Sequence, residues 1–276
     1  MTVAARDHTG RGADAGTGAS ADPRFESLVT DYGPKVYALA LRLCRNSTEA
    51  EDAVQDTFLQ AMKSWGSFRG DSKPSTWLYT IAVRACRRRR RAVSRQRVPA
   101  LGMLMPFRDT TVADMPSGAP SPEEIQEEAE LEAALQRAIV RLPEAFRLAV
   151  VLKDILELPT EDVASVLGVK HDTVKTRVHR ARLMLRKSIV KSVPQRAAPP
   201  PSYERQVCID LLRAKLDAMD HGRGFPLAQE VICERCRSVF AELDLTQNAC
   251  GALASGEMPT GLNRRLRELV HTGTNA

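Results

Sequence analysis

One segment constrains this chain more than any other: LPTEDVASVLGVKHDTVKTRVHRARLMLRK, residues 158–187. Thr160, Glu161 and Asp162 offer oxygens to the free N–H groups that open a helix, and two of them carry the charge its positive end favours. Ala164 and Leu167 are the expected buried positions of that helix. Gly168 follows, a residue that closes a helix in left-handed backbone at little steric cost. A second helix is expected from about Asp172. In it Val174, Val178, Ala181 and Leu185 recur at helical spacing and form an apolar stripe. Asp172, Thr176, His179, Arg180 and Lys187 project from the other side, with Lys175 on the flank. Two helices joined by a glycine turn, the second rich in cations, make the helix-turn-helix arrangement that lays its second helix in a major groove. Thr176, His179 and Arg180 would meet base edges, Lys175 a base or a phosphate, and Arg182 and Arg186 phosphates. Without the turn, the same residues would describe an ordinary solvated surface helix.

Charge is arranged in blocks. Residues 84–97 hold eight Arg and no acid, residues 123–132 six Glu and no base, and residues 170–187 seven Lys or Arg against one Asp. Two cationic blocks around an acidic stretch suggest a polyanion touched at two places, with solvated helix faces as the plain alternative. Only 5% of the 276 residues are aromatic, which suits compact helical units better than a large β-sandwich. No apolar run approaches the roughly 18 residues of a membrane span. Residues 1–24 lack the apolar centre of a secretory signal, so a cytoplasmic protein without membrane contact is expected. No convincing strand pair or internal repeat is visible. The expected fold is all-α, with two small helical domains and a third helical unit at the C-terminal end.

Prolines and composition divide the chain. Residues 1–24 read as a disordered tail, 25–95 as a helical domain, 96–125 as a proline-punctuated linker and 126–190 as the helix-turn-helix domain. A Pro-rich spacer at 191–202 leads to a cysteine-containing unit at 203–254 and a tail at 255–276, which has room for a short helix at 262–270. In residues 49–65, Val54, Phe58, Ala61 and Trp65 form a buried stripe, and Asp52, Gln55, Asp56, Leu59 and Lys63 gather opposite. A leucine within an acidic, polar patch suits docking of a basic protein partner, and equally suits a solvated face with one stray Leu. The loop at 68–75 then leads into a helix capped by Ser75 or Thr76, with Trp77, Leu78, Ile81 and Ala82 as apolar positions and arginines at its end. Phe, Ser, Thr and Lys beside an Arg-rich helix have the parts to bind a single strand or a flipped base. The competing account of Trp77 is plain core packing.

The run DYGPKVYALALRLCRNSTEAEDAVQDTFLQAMKSWGSFRGDSKPSTWLYTIAVRACRRRRR closely resembles region two of an extracytoplasmic-function sigma factor. IVRLPEAFRLAVVLKDILELPTEDVASVLGVKHDTVKTRVHRARLMLRK resembles its region four, in the family's order and spacing. The resemblance implies that Asp52, Gln55, Asp56 and Leu59 dock on the clamp helices of the largest RNA polymerase subunit. It implies that Phe68, Ser72, Lys73, Thr76, Trp77, Arg84, Arg87 and Arg88 recognise and help open the minus-ten element. Lys175, Thr176, His179 and Arg180, with Arg177 and Arg182 beside them, would read the minus-thirty-five element. The linker would thread through the polymerase, and its run VPALGMLMPF is unusually apolar for a segment without a partner. Pro159 departs from the family, which usually has a serine cap there; proline fits the first turn but cannot cap.

Beyond residue 190 the chain continues for more than 80 residues, so regulation in the same chain is expected. This extension looks loosely like the zinc-binding anti-sigma domains, although Gln229 stands where they carry a His ligand. Cys208, Cys233, Cys236 and Cys250 are the candidate zinc ligands, with His221 an alternative fourth. A thiol–disulfide switch and inert buried cysteines are the other readings, and no cofactor is otherwise required. Cys44 and Cys86 read as core. An extension folded back on the other units would mask polymerase docking and leave no need for a separate anti-sigma factor. A stand-alone helix-turn-helix regulator would account for residues 158–187 alone. An enzyme is not expected, because phosphate loop, HExxH and nucleophile elbow are all missing.

Overall fold

A computed structural model describes residues 23–44, 46–89, 99–114, 122–228, 231–255 and 257–272. The expected disordered tail and the arginines from 90 to 97 fall almost entirely outside the described residues. Helices α1 (Pro23–Leu43), α2 (Ser47–Trp65) and α3 (Pro74–Arg89) form the first body. Asn46 starts α2 by accepting the Glu49 N–H at 2.8 Å, which satisfies one of the free donors of its first turn. Val54, Phe58 and Ala61 point inward as their spacing requires and share one core with Leu39, Leu78 and Ile81. Full burial of a side chain such as Phe58 or Leu78 is worth roughly 1.5–3 kcal/mol. Trp65, expected in the same stripe, is only half-buried, because it leans on Phe25, Phe68 and Trp77 at the rim.

The second body is built from α5 (Pro122–Arg141), α6 (Glu144–Val150), a π turn (Val151–Ile155), α7 (Thr160–Leu167) and α8 (His171–Ile189). Gly168 ends α7 at φ 64°, its N–H turned back to the carbonyls of Ala164 and Ser165. Val174, Val178, Ala181 and Leu185 are all buried. Helix α7 differs from expectation in two respects. Val163 and Val166 take the core while Ala164 and Leu167 are half-buried, so the helix is rolled by about one residue, or about 100°. Pro159 holds the cap position and no side chain caps the turn; Asp162 is drawn instead to the first body.

The linker is ordered where it is described. It contains α4 (Leu101–Leu104), a 3-10 turn (Pro106–Arg108) and β1 (Thr111–Ala113). Strand β1 pairs antiparallel with β2 (Gln195–Ala197) of the spacer, Val112 opposite Arg196. Three-residue strands so far apart in sequence carry no local pairing signal, which is why none was expected. The all-α architecture is otherwise unchanged.

The extension supplies α9 (Arg205–Asp220), α10 (Glu234–Ala252) and α11 (Thr260–Thr272). Leu212, Leu216, Ile232, Val239, Phe240 and Leu243 form a second core that also takes in Leu183 of α8 and Leu104 of the linker. Helix α10 packs on α5, α8 and the π turn, whereas α11 lies on α1 and α2 with Leu262, Leu266 and Val270 buried. Arg42 of α1 donates to the Leu253 carbonyl at 2.8 Å, and Arg265 pairs with Glu51 at 2.6 Å. The extension therefore touches both helical bodies. Among the described residues, no helix is long and apolar enough to cross a membrane.

Candidate nucleic-acid interface

Helix α8 presents one face to its own core and an adjacent face to the extension. Along that second face Lys175, His179, Arg182 and Arg186 follow at helical spacing, and each meets a carboxylate. Lys175 Nζ lies 3.5 Å from Asp217, and His179 Nε2 lies 2.8 Å from Asp220. Arg182 donates to both oxygens of Asp154 at 2.8 and 2.7 Å, to Asp220 at 2.6 Å and to the Leu216 carbonyl at 3.3 Å. Arg186 binds Glu242 at 2.6 Å and Asp109 at 2.8 Å. Asp217 and Asp220 end α9, and Glu242 comes from α10.

Burial amplifies these charges. The side chains of Arg182, Asp154 and Asp220 are only 2, 2 and 3% exposed. Burial alone would raise the Asp220 carboxyl, yet the His179 hydrogen bond and the Arg182 charge hold it below the usual carboxylate range. Arg182 is pushed above its ordinary value, since Asp154 and Asp220 outweigh its desolvation. Arg182 and Arg186 were expected on phosphates; here both are inside, because the carboxylates around them balance a charge that burial would otherwise make costly. On the open side of α8, Thr176 and Lys187 are exposed and Arg177 and Arg180 half-buried. Arg180 Nε is buried without a hydrogen-bond partner among the described residues.

In the first body Trp77, Arg84 and Arg88 line a cavity of about 290 Å³ together with Gln60, Ser64 and Ile81. Gln60 and Ser64 escaped the sequence reading, although they lie one turn apart on α2 and bond to each other at 3.0 Å. Phe68 stacks on Trp65, ring centres 5.6 Å apart and planes 10° apart. Ser72 is exposed. Lys73 and Thr76 both reach Asp162 of α7, at 2.8 and 3.4 Å, and Arg87 reaches Glu144 of α6 at 2.8 Å. Asp52, Gln55, Asp56 and Leu59 share a half-buried face of α2. Arg89 holds Asp52 at 3.1 Å and Asp56 at 2.7 Å.

The cysteines divide differently from expectation. Cys208, Cys233 and Cys236 are buried together, the Cys236 sulfur in hydrogen-bond contact with both others. Burial would raise the Cys233 thiol, but N–H groups of Ser202, Cys236 and Arg235 pull it below its usual value. Cys250 belongs to the other core, beside Arg42, Asp154 and Arg182, and burial raises its thiol. His221 is turned to the Asp217 carbonyl at 2.7 Å. The four-ligand zinc set is thus not assembled. Among the described residues no group of three or more His, Cys, Asp or Glu is arranged to hold a metal. Cys44 and Cys86 are buried free thiols in hydrogen-bond contact with each other.

Residues 28–96 match the family described as Sigma-70 region 2, and residues 132–185 match Sigma-70, region 4. The chain is 36% identical over 183 residues to the ECF RNA polymerase sigma factor SigE of Mycolicibacterium smegmatis, covering 64% of this chain and 66% of that one. It is 34% identical over 173 residues to the RNA polymerase sigma-H factor of Pseudomonas aeruginosa, covering 60% and 86%. It is 33% identical over 165 residues to the ECF RNA polymerase sigma factor SigW of Bacillus subtilis, covering 60% and 88%. With both regions matched in order and most of two such relatives spanned, the chain belongs to the extracytoplasmic-function sigma factors of RNA polymerase.

Proposed function

We propose that this sigma factor binds core RNA polymerase, recognises and opens promoters, and is held closed by its own extension. Asp52, Gln55, Asp56 and Leu59 serve the polymerase contact. Phe68, Ser72, Lys73, Thr76, Trp77, Arg84, Arg87 and Arg88 serve the minus-ten element, with the 290 Å³ cavity beside Trp77 as the place for an unstacked base. Lys175, Thr176, Arg177, His179 and Arg180 serve the minus-thirty-five element. Arg182 is better read as a positioning residue, since it ties α8 to Asp154 of the same body. The protein acts where the polymerase acts, in the cytoplasm, and is not an enzyme. A separate anti-sigma partner is unnecessary for the closed state.

One observation carries the inhibitory part: the carboxylates of Asp217 and Asp220 occupy Lys175 and His179, two side chains that would otherwise meet DNA. Carboxylates placed on these side chains stand in for phosphates and base-edge acceptors. Transcription by core polymerase on a promoter library, comparing the full chain with its Asp217→Asn/Asp220→Asn variant, tests the reading. The variant is expected to initiate at least several-fold more. Equal initiation by both would refute inhibition by the extension, and no initiation by either would refute the sigma reading.

A further inference from the structure

The linker between the two DNA-reading bodies is bound along its main chain, and the extension provides most of the binding groups. Arg235, in the Cys-Glu-Arg-Cys turn that opens α10, is buried, and among the described residues it has no carboxylate partner. Its guanidinium donates only to carbonyls: Pro199 at 3.0 Å, Pro106 at 3.4 Å, Phe107 at 3.2 Å and Asp109 at 2.6 Å. Three of those four belong to the linker. Five N–H donors in a fixed fork suit such a cluster of carbonyl dipoles. Glu242 works from the other end, accepting the Ala113 N–H at 2.7 Å through one oxygen and Arg186 through the other. Ahead of both contacts Leu104 is sunk in the second core, and β1 is zipped to β2. Lys187 takes the Met103 carbonyl at 3.2 Å.

We propose that the extension contains a binding site for the linker's main chain, anchored by Arg235 and Glu242, and that polymerase must wait for this site to release residues 101–113. The inference rests on the sigma reading above, in which the linker threads the polymerase. It goes beyond occlusion of α8, since the strap itself is sequestered. A linker cannot enter a channel while its carbonyls and N–H groups are committed elsewhere, because buried main-chain groups are rarely left unpaired. Cys233 and Cys236 flank Arg235, so the same turn that buries the two thiols aims the guanidinium.

Amide hydrogen exchange of the full chain tests the site directly. Arg235→Met removes the donors at similar length. Ala113→Pro removes the N–H given to Glu242 and alters only the linker. Each variant is expected to exchange the amides of residues 101–113 at least tenfold faster while those of α6 and α8 stay protected, and to associate with core polymerase several-fold more. If Arg235→Met fails to fold, Ala113→Pro carries the test from the linker side. Unchanged exchange in a folded variant would overturn the site. Faster exchange with no gain in polymerase association would overturn its gating role. Faster exchange with no association by wild type or variant would uphold the linker site and refute the sigma reading instead.

Discussion

Arg182→Met is the most demanding test of how the extension is held to α8. The native guanidinium makes three short bonds to Asp154 and Asp220, at 2.6–2.8 Å, in a setting where all three side chains are at most 3% exposed. Methionine is close in length but leaves two carboxylates inside with no cation between them, apart from the His179 contact to Asp220. Removing one partner of a buried ionic network costs about 3–5 kcal/mol. For a chain of this size each kcal/mol lowers Tm by about 2–4 °C, so a fall of roughly 6–20 °C is expected in a thermal melt followed by circular dichroism. Adding Asp154→Leu should recover most of it, because an apolar pair of similar volume replaces an ion pair at little cost, and Asp220 keeps His179. An Arg182→Met melt within about 1 °C of wild type would refute this account of the junction.

Acid should loosen the same junction. Asp220 has a native pKa lowered by His179 and Arg182, so its contribution is complete above the ordinary aspartate value of about 4 and is lost as pH falls through the lowered one. Asp220→Asn should remove that part of the acid dependence of Tm, and an unaltered profile would count against it. Gly168→Ala should cost about 1–2 kcal/mol in chemical denaturation, since φ 64° is strained for any side chain although nothing crowds the space. Arg180→Ala should weaken upstream-element discrimination by about 1–3 kcal/mol in promoter competition and spare polymerase binding. Asp52→Ala with Leu59→Ala should do the reverse in a co-migration assay.

Local signals in the sequence foretold local structure well. The stripe Val174, Val178, Ala181, Leu185 and the turn at Gly168 are consequences of spacing and of one residue's backbone freedom, and both are found as expected. The roll of α7 was not legible, because Val163, Ala164, Val166 and Leu167 are all apolar and only the position of α3 and α8 decides which pair faces inward. Arg182 shows the same limit from the other side. Helical geometry put it near the DNA face, while Asp154, 28 residues earlier, and Asp220, 38 residues later, claim it. Cys250 was grouped with the other cysteines by residue type and proximity in sequence. Its place near the C-terminal end of α10, 14 residues or about four turns from Cys236, carries it into the other core. Of the apolar run expected to have a partner, Leu104, Met105 and Phe107 pack on the extension, whereas Leu101 and Met103 are exposed; Val98 lies outside the described residues.

The spacer has a consequence for how such a protein is controlled. A separately made inhibitor works by stoichiometry and can be outnumbered, diluted or degraded. Here a spacer of about a dozen residues, itself paired to β1 through β2, keeps the two parts together at an effective concentration in the millimolar range whatever the expression level. Under the proposed inhibition, gene dosage would change how many molecules are closed but not the closed fraction at a given concentration of free polymerase.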